Sequence, residues 1–170
     1  MMTGLFFGST NGEVESVAET IKAALGASLN AYQNIGNAAP ANIQACDAII
    51  FGISTWDVGQ LQADWDVFWP KMDTLNLAGK KVAIFGMGDQ VGYPDTYQDA
   101  VGMLADKVVE RGGTLVGYST REGQDFTATK VIAADGRTKG LLLDILNHDD
   151  MTATWVANWV AQIKGELGLA

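Results

Sequence analysis

A doubly wound α/β fold, a parallel sheet with helices on both faces, is the architecture this sequence predicts. Three observations lead there. Short continuous apolar runs, DAIIFGIS and KKVAIFGMG above all, are the pattern of strands covered on both sides. Between such runs lie stretches whose apolar residues recur at helical spacing. The two kinds alternate along the chain, as right-handed β–α–β crossovers require.

Taken in order, GLFFG (4–8) is a buried strand. Val14, Val17, Ala18, Ile21 and Leu25 then form one helical stripe, with Glu13, Glu15, Glu19 and Lys22 largely off it. Gly26 is a helix stop. SLNAYQNI is a weaker, more polar strand for a sheet edge. DAIIFGIS supplies the third strand, ADWDVFWPKM a short helix stopped near Pro70, and KKVAIFGMG the fourth strand. TYQDAVGMLADKVVERGG is a longer helix closing on a glycine pair, and TLVGYS begins the fifth strand. From Thr120 to about Lys139 the chain is polar and without period, and reads as an insertion; GLLLD then resumes strand character. MTATWVANWVAQIKGEL is a last helix burying Trp155, Val156, Trp159, Val160 and Ile163.

A chain of 170 residues suits one domain, 1–170, with a proper core. Eleven Lys and Arg against twenty Asp and Glu give a formal charge of −9, which argues against nucleic acid. The same charge suits a basic protein partner met by electrostatic steering, or solubility alone. The opening MMTGLFFGSTNGEVE has no basic n-region, and no segment approaches the ~20 apolar residues of a membrane span. A cytoplasmic protein is expected. The one cysteine, Cys46, reads as a small buried apolar residue, and the one histidine, His148, as a surface residue. No clustered His, Cys and carboxylate set proposes a metal.

In such sheets ligands bind beyond the carboxyl ends of the strands. After the first strand, Ser9, Thr10, Asn11 and Gly12 lead straight into a helix whose free N–H groups favour an anion. There is no lysine and no G-x-x-x-x-G-K-[ST] or G-x-G-x-x-G, so the loop suits one phosphate monoester held by neutral donors. Equally, these residues can simply cap the helix. After the third strand come Ser54, Thr55, Trp56, Asp57, Val58 and Gly59; after the fourth, Gly86, Gly88, Asp89, Gln90, Gly92 and Tyr93. A lone aromatic there is most simply packing or a protein contact. Two of them flanking one anion loop favour a stacked planar ring.

GLFFGSTNGEVESVAETI, STWDVGQLQADWDVFWPKM, GKKVAIFGMGDQVGYPDTYQDAVG and RGGTLVGYST resemble the long-chain flavodoxins, as does the ending WVAQIKGELG. The likeness covers almost the whole chain in order, and FGMGDQVGYPDTYQDA is its most specific part. It implies a flavodoxin-like fold of five strands in the order 2-1-3-4-5, with the insertion splitting the last strand, and one non-covalent FMN. Ser9, Thr10, Asn11, Gly12 and Val14 would then enclose the phosphate, with Thr55 closing it from the next loop. Trp56 and Tyr93 would sandwich the isoalloxazine. Asp89, with the backbone near Gly88 and Gln90, would face the ring's polar edge, and Ser54, Asp57, Val58 and Gly59 would complete the cofactor-binding set. Asp144 and Asn147 fall near the ribityl chain and ring.

The chain departs from the family where Asn11 and Val14 replace threonines. A contact through the main chain alone is expected at Val14. Asp57 stands where close relatives commonly have Asn, and Ile145, Leu146 and Arg121 stand where acids are common. Asp64, Asp66, Asp95, Asp99, Asp125, Asp149 and Asp150 remain candidate surface acids. The implied function is low-potential one-electron carriage between semiquinone and hydroquinone rather than enzymatic turnover. Donors and acceptors would be ferredoxin–NADP reductase-like enzymes with a basic face, a photosystem or nitrogenase, met by a monomer that could stand in for ferredoxin. A carbonyl of the Asp57–Val58 peptide turned toward flavin N5 would favour the one-electron form by ~1 kcal/mol, about 40 mV. Each carboxylate about 10 Å away would oppose the second electron by roughly 0.5 kcal/mol. The rival readings are an FMN-dependent NAD(P)H:quinone-type reductase, a phospho-receiver domain, for which FFGSTN lacks the acidic pair, and a silent interaction domain.

Overall fold

Residues 1–169 are described by the computed structural model. β1 (Thr3–Phe7) is buried throughout and leads into α1 (Glu13–Leu25), whose buried stripe is Val14, Val17, Ala18, Ile21 and Leu25. Gly26 ends that helix. β2 (Ala31–Asn34) is half-buried along its length, which suits a sheet edge. A short α2 (Pro40–Gln44) precedes β3 (Ala48–Trp56), the long central strand. A turn over residues 57–59 folds β4 (Gln60–Leu61) back antiparallel on the end of β3. Then follow α3 (Ala63–Met72), β5 (Lys81–Met87), α4 (Asp99–Glu110), β6 (Thr114–Val116), β7 (Leu141–Leu143) and α5 (Ile145–Leu167).

The sheet runs β2-β1-β3-β5-β6, all parallel. β6 lies beside Lys81–Ala83 and β7 beside Phe85–Met87, so two short strands share one position next to β5. Setting the two-residue β4 aside, this is the expected 2-1-3-4-5 order with its last strand split by the intervening segment. The period of two along each strand sorts the core into two layers. Phe6, Phe51, Ile84 and their neighbours pack under α3 and α4, while Leu5, Ile50 and Phe85 pack under α1 and α5. Cys46 is buried in the first layer.

Four details differ from the sequence reading. Pro70 lies inside α3 rather than at its stop, because Trp65, Phe68 and Met72 carry one buried stripe through to the end of the helix. α5 begins six residues before MTATW, at Ile145, with His148 leaving helical geometry (φ −134°, ψ 40°). Trp155 is half-buried, while Val156, Trp159, Val160 and Ile163 are buried. The insertion is not merely polar: Phe126, Ala128 and Val131 enter the core, Phe126 with its ring 4.8 Å from that of Tyr97. No helix among the described residues is long and apolar enough to cross a membrane.

Candidate functional site

The carboxyl ends of β1, β3 and β5 come together at one edge of the molecule. The loop after β1 is organised by its own side chains. Ser9 Oγ accepts from the N–H groups of Gly12 (3.1 Å) and Glu15 (3.4 Å), and Asn11 Oδ1 accepts from Glu13 N–H (3.2 Å). Gly12 is left-handed (φ 89°) at the start of α1, which puts the first helical N–H groups beside Thr10 and Asn11. Thr10, Asn11 and Gly12 are exposed. Val14 turns its side chain into the core (1% exposed), leaving only its main chain for the loop.

A residue the sequence reading missed supports this loop from α3. Gln62 is 1% exposed, donates from Nε2 to Thr10 Oγ1 (3.2 Å), and accepts from the N–H groups of Asp64 and Trp65 (3.1 and 3.3 Å). It packs so close to Gly8 that a Cβ there would stand 2.1 Å from Gln62 Oε1. Gln is not a preferred N-cap residue, and its partner lies 52 positions away, so no local signal marks it.

Trp56 ends β3. Its indole N–H donates to Ser54 Oγ (2.8 Å), which fixes the ring within its own strand. Thr55 Oγ1 accepts from Ala100 N–H (3.1 Å), so this hydroxyl caps the start of α4 as well as facing the cleft. In the turn that follows, Asp57 adopts φ 45° and Gly59 φ 81°, while Val58 stands 72% exposed at the tip. Asp tolerates the left-handed region better than most residues.

The loop after β5 is built differently. Asp89 Oδ1 accepts from Gly92 N–H (2.8 Å), Val91 N–H (3.1 Å) and Asn147 Nδ2 (2.9 Å). Those donors, the Gly92 N–H first, hold the Asp89 carboxyl below its ordinary value against the opposing effect of burial. Asp144 is fully buried at the start of α5, where it accepts from Asn147 N–H (3.1 Å) and from Gln90 N–H (3.0 Å). Gln90 is 3% exposed and accepts from Asp125 N–H of the insertion (2.7 Å). Tyr93 sits on this scaffold, 45% exposed.

These loops enclose a cleft of about 340 Å³, within the ~300–1,000 Å³ range of ligand pockets. Asn11, Ser54, Thr55, Trp56, Asp57, Gly88, Asp89 and Tyr93 line it. Glu13, Met87, Thr96, Tyr97, Gln98, Ile145 and Leu146 line it too, without having been expected. Gln90, Asp144 and Asn147 do not; they are the hydrogen-bonded support behind the Tyr93 loop. Ser9, Thr10 and Gly12 belong to the adjoining loop after β1 and Val14 to the first turn of α1, while Val58 and Gly59 form the turn beside Trp56. Asp99, expected on the surface, is buried with only 4% exposure beneath that turn. Aromatic walls from two strands, neutral donors at a helix start and an apolar floor at Met87 suit a planar ring carrying an anionic tail.

Residues 5–159 match the flavodoxin family. The chain belongs to that family. It is 44% identical over 168 residues to flavodoxin 2 of Salmonella typhi, covering 98% of this chain and 97% of that one. It is 40% identical over 166 residues to a flavodoxin of Nostoc sp., with 98% and 97% covered. Among solved structures, the Fusobacterium nucleatum flavodoxin bound to flavin mononucleotide superposes with a TM-score of 0.90 at 25% identity, over 97% of this chain and 98% of that one. The shared flavodoxin fold places the carboxyl ends of the strands, and with them the cleft, at the edge where this fold class binds ligands.

Proposed function

We propose that the chain works as one domain, a long-chain flavodoxin that holds one FMN non-covalently and carries single electrons at low potential between redox proteins. The observation that carries this reading is that Trp56 and Tyr93, from two different strand ends, line one cleft beside a lysine-free donor loop. Membership of the flavodoxin family supports it, and the segment that splits the last strand position supports the long-chain assignment.

FMN, when bound, supplies reversible one-electron chemistry. The protein's residues do the rest. Ser9, Thr10, Asn11 and Gly12, with the main chain of Val14, hold the phosphate through neutral donors, and Gln62 keeps Thr10 in place. Ser54 and Thr55 close that end. Trp56 and Tyr93 cover the two faces of the ring and exclude water. Gly88, Asp89 and the 57–59 turn meet its polar edge, while Gln90, Asp144 and Asn147 fix the loop that presents Tyr93.

The rim of the cleft is where partners are met. Val58, Val91, Tyr93 and Leu146 are exposed in the segments that form it, the acid Asp57 in its lining is exposed, and so are Asp95, two residues after Tyr93, and Asp149, in the first turns of α5. A basic-faced partner fits this combination, of the ferredoxin–NADP reductase kind on one side and a photosystem or nitrogenase on the other. The carrier acts as a monomer in the cytoplasm. Redox titration of the purified yellow protein, followed by absorbance, tests the reading: two resolved one-electron steps are expected. A chain that takes up no FMN, or that turns over NADPH without a partner reductase, would sink it.

A further inference from the structure

The side-chain acceptors of the loop after β1 are occupied by its own N–H groups, with one exception. Ser9 Oγ accepts from Gly12 and Glu15, and Asn11 Oδ1 accepts from Glu13. An N–H can only donate, so what these two side chains have left to offer is a hydroxyl proton and the Nδ2 group, both donors. Thr10 stands between them and accepts from no main-chain N–H among the described residues. Its donor comes instead from Gln62 Nε2 (3.2 Å), 52 positions along the chain.

Gln62 can present only that end of its amide. Oε1 is held by the N–H groups of Asp64 and Trp65 at the start of α3 (3.1 and 3.3 Å), which fixes the way the amide faces. The other Nε2 hydrogen goes to Asp64 Oδ2 (3.0 Å). At 1% exposure, solvent does not compete for these bonds. An amide nitrogen has no acceptor capacity, so Thr10 Oγ1 accepts on the Gln62 side and its single proton must be donated elsewhere. Thr10 is itself exposed, and that proton is left for the solvent-facing side of the loop.

We infer that Gln62 is a positioning residue for the phosphate of the cofactor: it fills the acceptor side of Thr10, turns the hydroxyl proton outward, and so completes a loop that offers only donors without a lysine. The inference rests on the FMN reading above. Fluorescence titration of the apoproteins with FMN and with riboflavin, which lacks the phosphate, tests it, and the ratio of the two Kd values is the readout. In Gln62→Met, which removes the amide at similar length, the preference for FMN should fall about 10-fold with the riboflavin Kd unchanged. Thr10→Val should lower the preference by a similar factor, and Gln62→Met should lower it no further on the Thr10→Val background. Should Gln62→Met not fold, Gln62→Glu at mildly alkaline pH keeps an acceptor for the Asp64 and Trp65 N–H groups while withdrawing the donor from Thr10, and the same fall is expected. Equal weakening of both flavins, or losses that add in the double variant, would overturn the inference. A wild-type chain that binds neither flavin removes the FMN reading and this inference together; one that prefers FMN, with the preference intact in the Gln62 variants, removes this inference alone.

Discussion

The two aromatic walls of the cleft are made in opposite ways. Trp56 is the last residue of a nine-residue strand, and the partner of its indole N–H, Ser54, lies two positions away. Tyr93 stands on a loop shaped by Asp89, which is tied to Asn147 and hence to Asp144, 58 and 55 positions distant. One wall is fixed by local backbone geometry and the other by a long-range side-chain network. Such a difference predicts different failures: the Trp56 wall should be lost only by changes at Trp56 or its neighbour Ser54, whereas the Tyr93 wall should be lost by changes far from it.

The largest effect is expected at Asp144. Asp144→Ala removes the helix-start acceptor of Asn147 N–H and orphans the buried Gln90 N–H. Loss of a cap at about 1 kcal/mol and an unsatisfied buried donor at about 1–3 kcal/mol set the cost near 3 kcal/mol. Urea unfolding measures it, and the Tyr93 loop should lose amide protection while the Trp56 hairpin keeps it. Equal loosening of both walls would break the comparison.

Next come the walls themselves. Trp56→Ala removes a ring face and its apolar area, about 2 kcal/mol or roughly 30-fold in FMN Kd. Tyr93→Ala should cost about 1 kcal/mol, roughly 5-fold, because that ring is 45% exposed where it stands. Fluorescence titration of the apoproteins gives both constants, and a Tyr93 variant binding like wild type would remove that residue from the site.

Acid should act on one wall alone. The Asp89 carboxyl titrates below its ordinary 3.8 because Gly92, Asn147 and Val91 donate to its ionised form. A depressed native value means that its contribution is complete above the unfolded value and is lost as pH falls below 3.8 through the lower native one. The Val91 and Gly92 amide signals should therefore titrate together at a pH below 3.8, and Asp89→Asn should abolish that titration. Ser54, the anchor of Trp56, has no charge to lose.

The same division explains what could be read from the chain alone. DAIIFGIS and KKVAIFGMG announce their strands because both faces are covered, and the α1 stripe is visible because its period is regular. Trp56 and Tyr93 stand out as large rings in glycine-containing loops. Gln62, Asp99 and the roles of Asp144 and Gln90 stay hidden because each is a polar residue buried by a partner dozens of positions away. Composition suggests such residues are surface, which is why Asp99 read as a partner-facing acid. The insertion misled for a related reason: Phe126, Ala128 and Val131 are too widely set among polar residues to show a period, yet the tertiary fold buries all three.

The smallest effect is expected at His148, and it tests whether the site ends where the two walls end. His148 lines not the cleft but a separate, larger hollow of about 800 Å³ between the insertion and α5, with its ring 5.8 Å from that of Trp155. It follows Asn147 directly, but its side chain makes no contact with Asp89, Asp144 or Gln90 among the hydrogen bonds of that network. Its N–H donates to Asp144 through the backbone carbonyl (2.7 Å), a bond that alanine keeps. His148→Ala should accordingly leave both FMN affinity and both midpoint potentials at their wild-type values, measured by the same titrations. A shift in either would mean that the helix kink at this residue transmits to the Tyr93 loop, and the long-range wall would then extend one residue further than its side-chain contacts do.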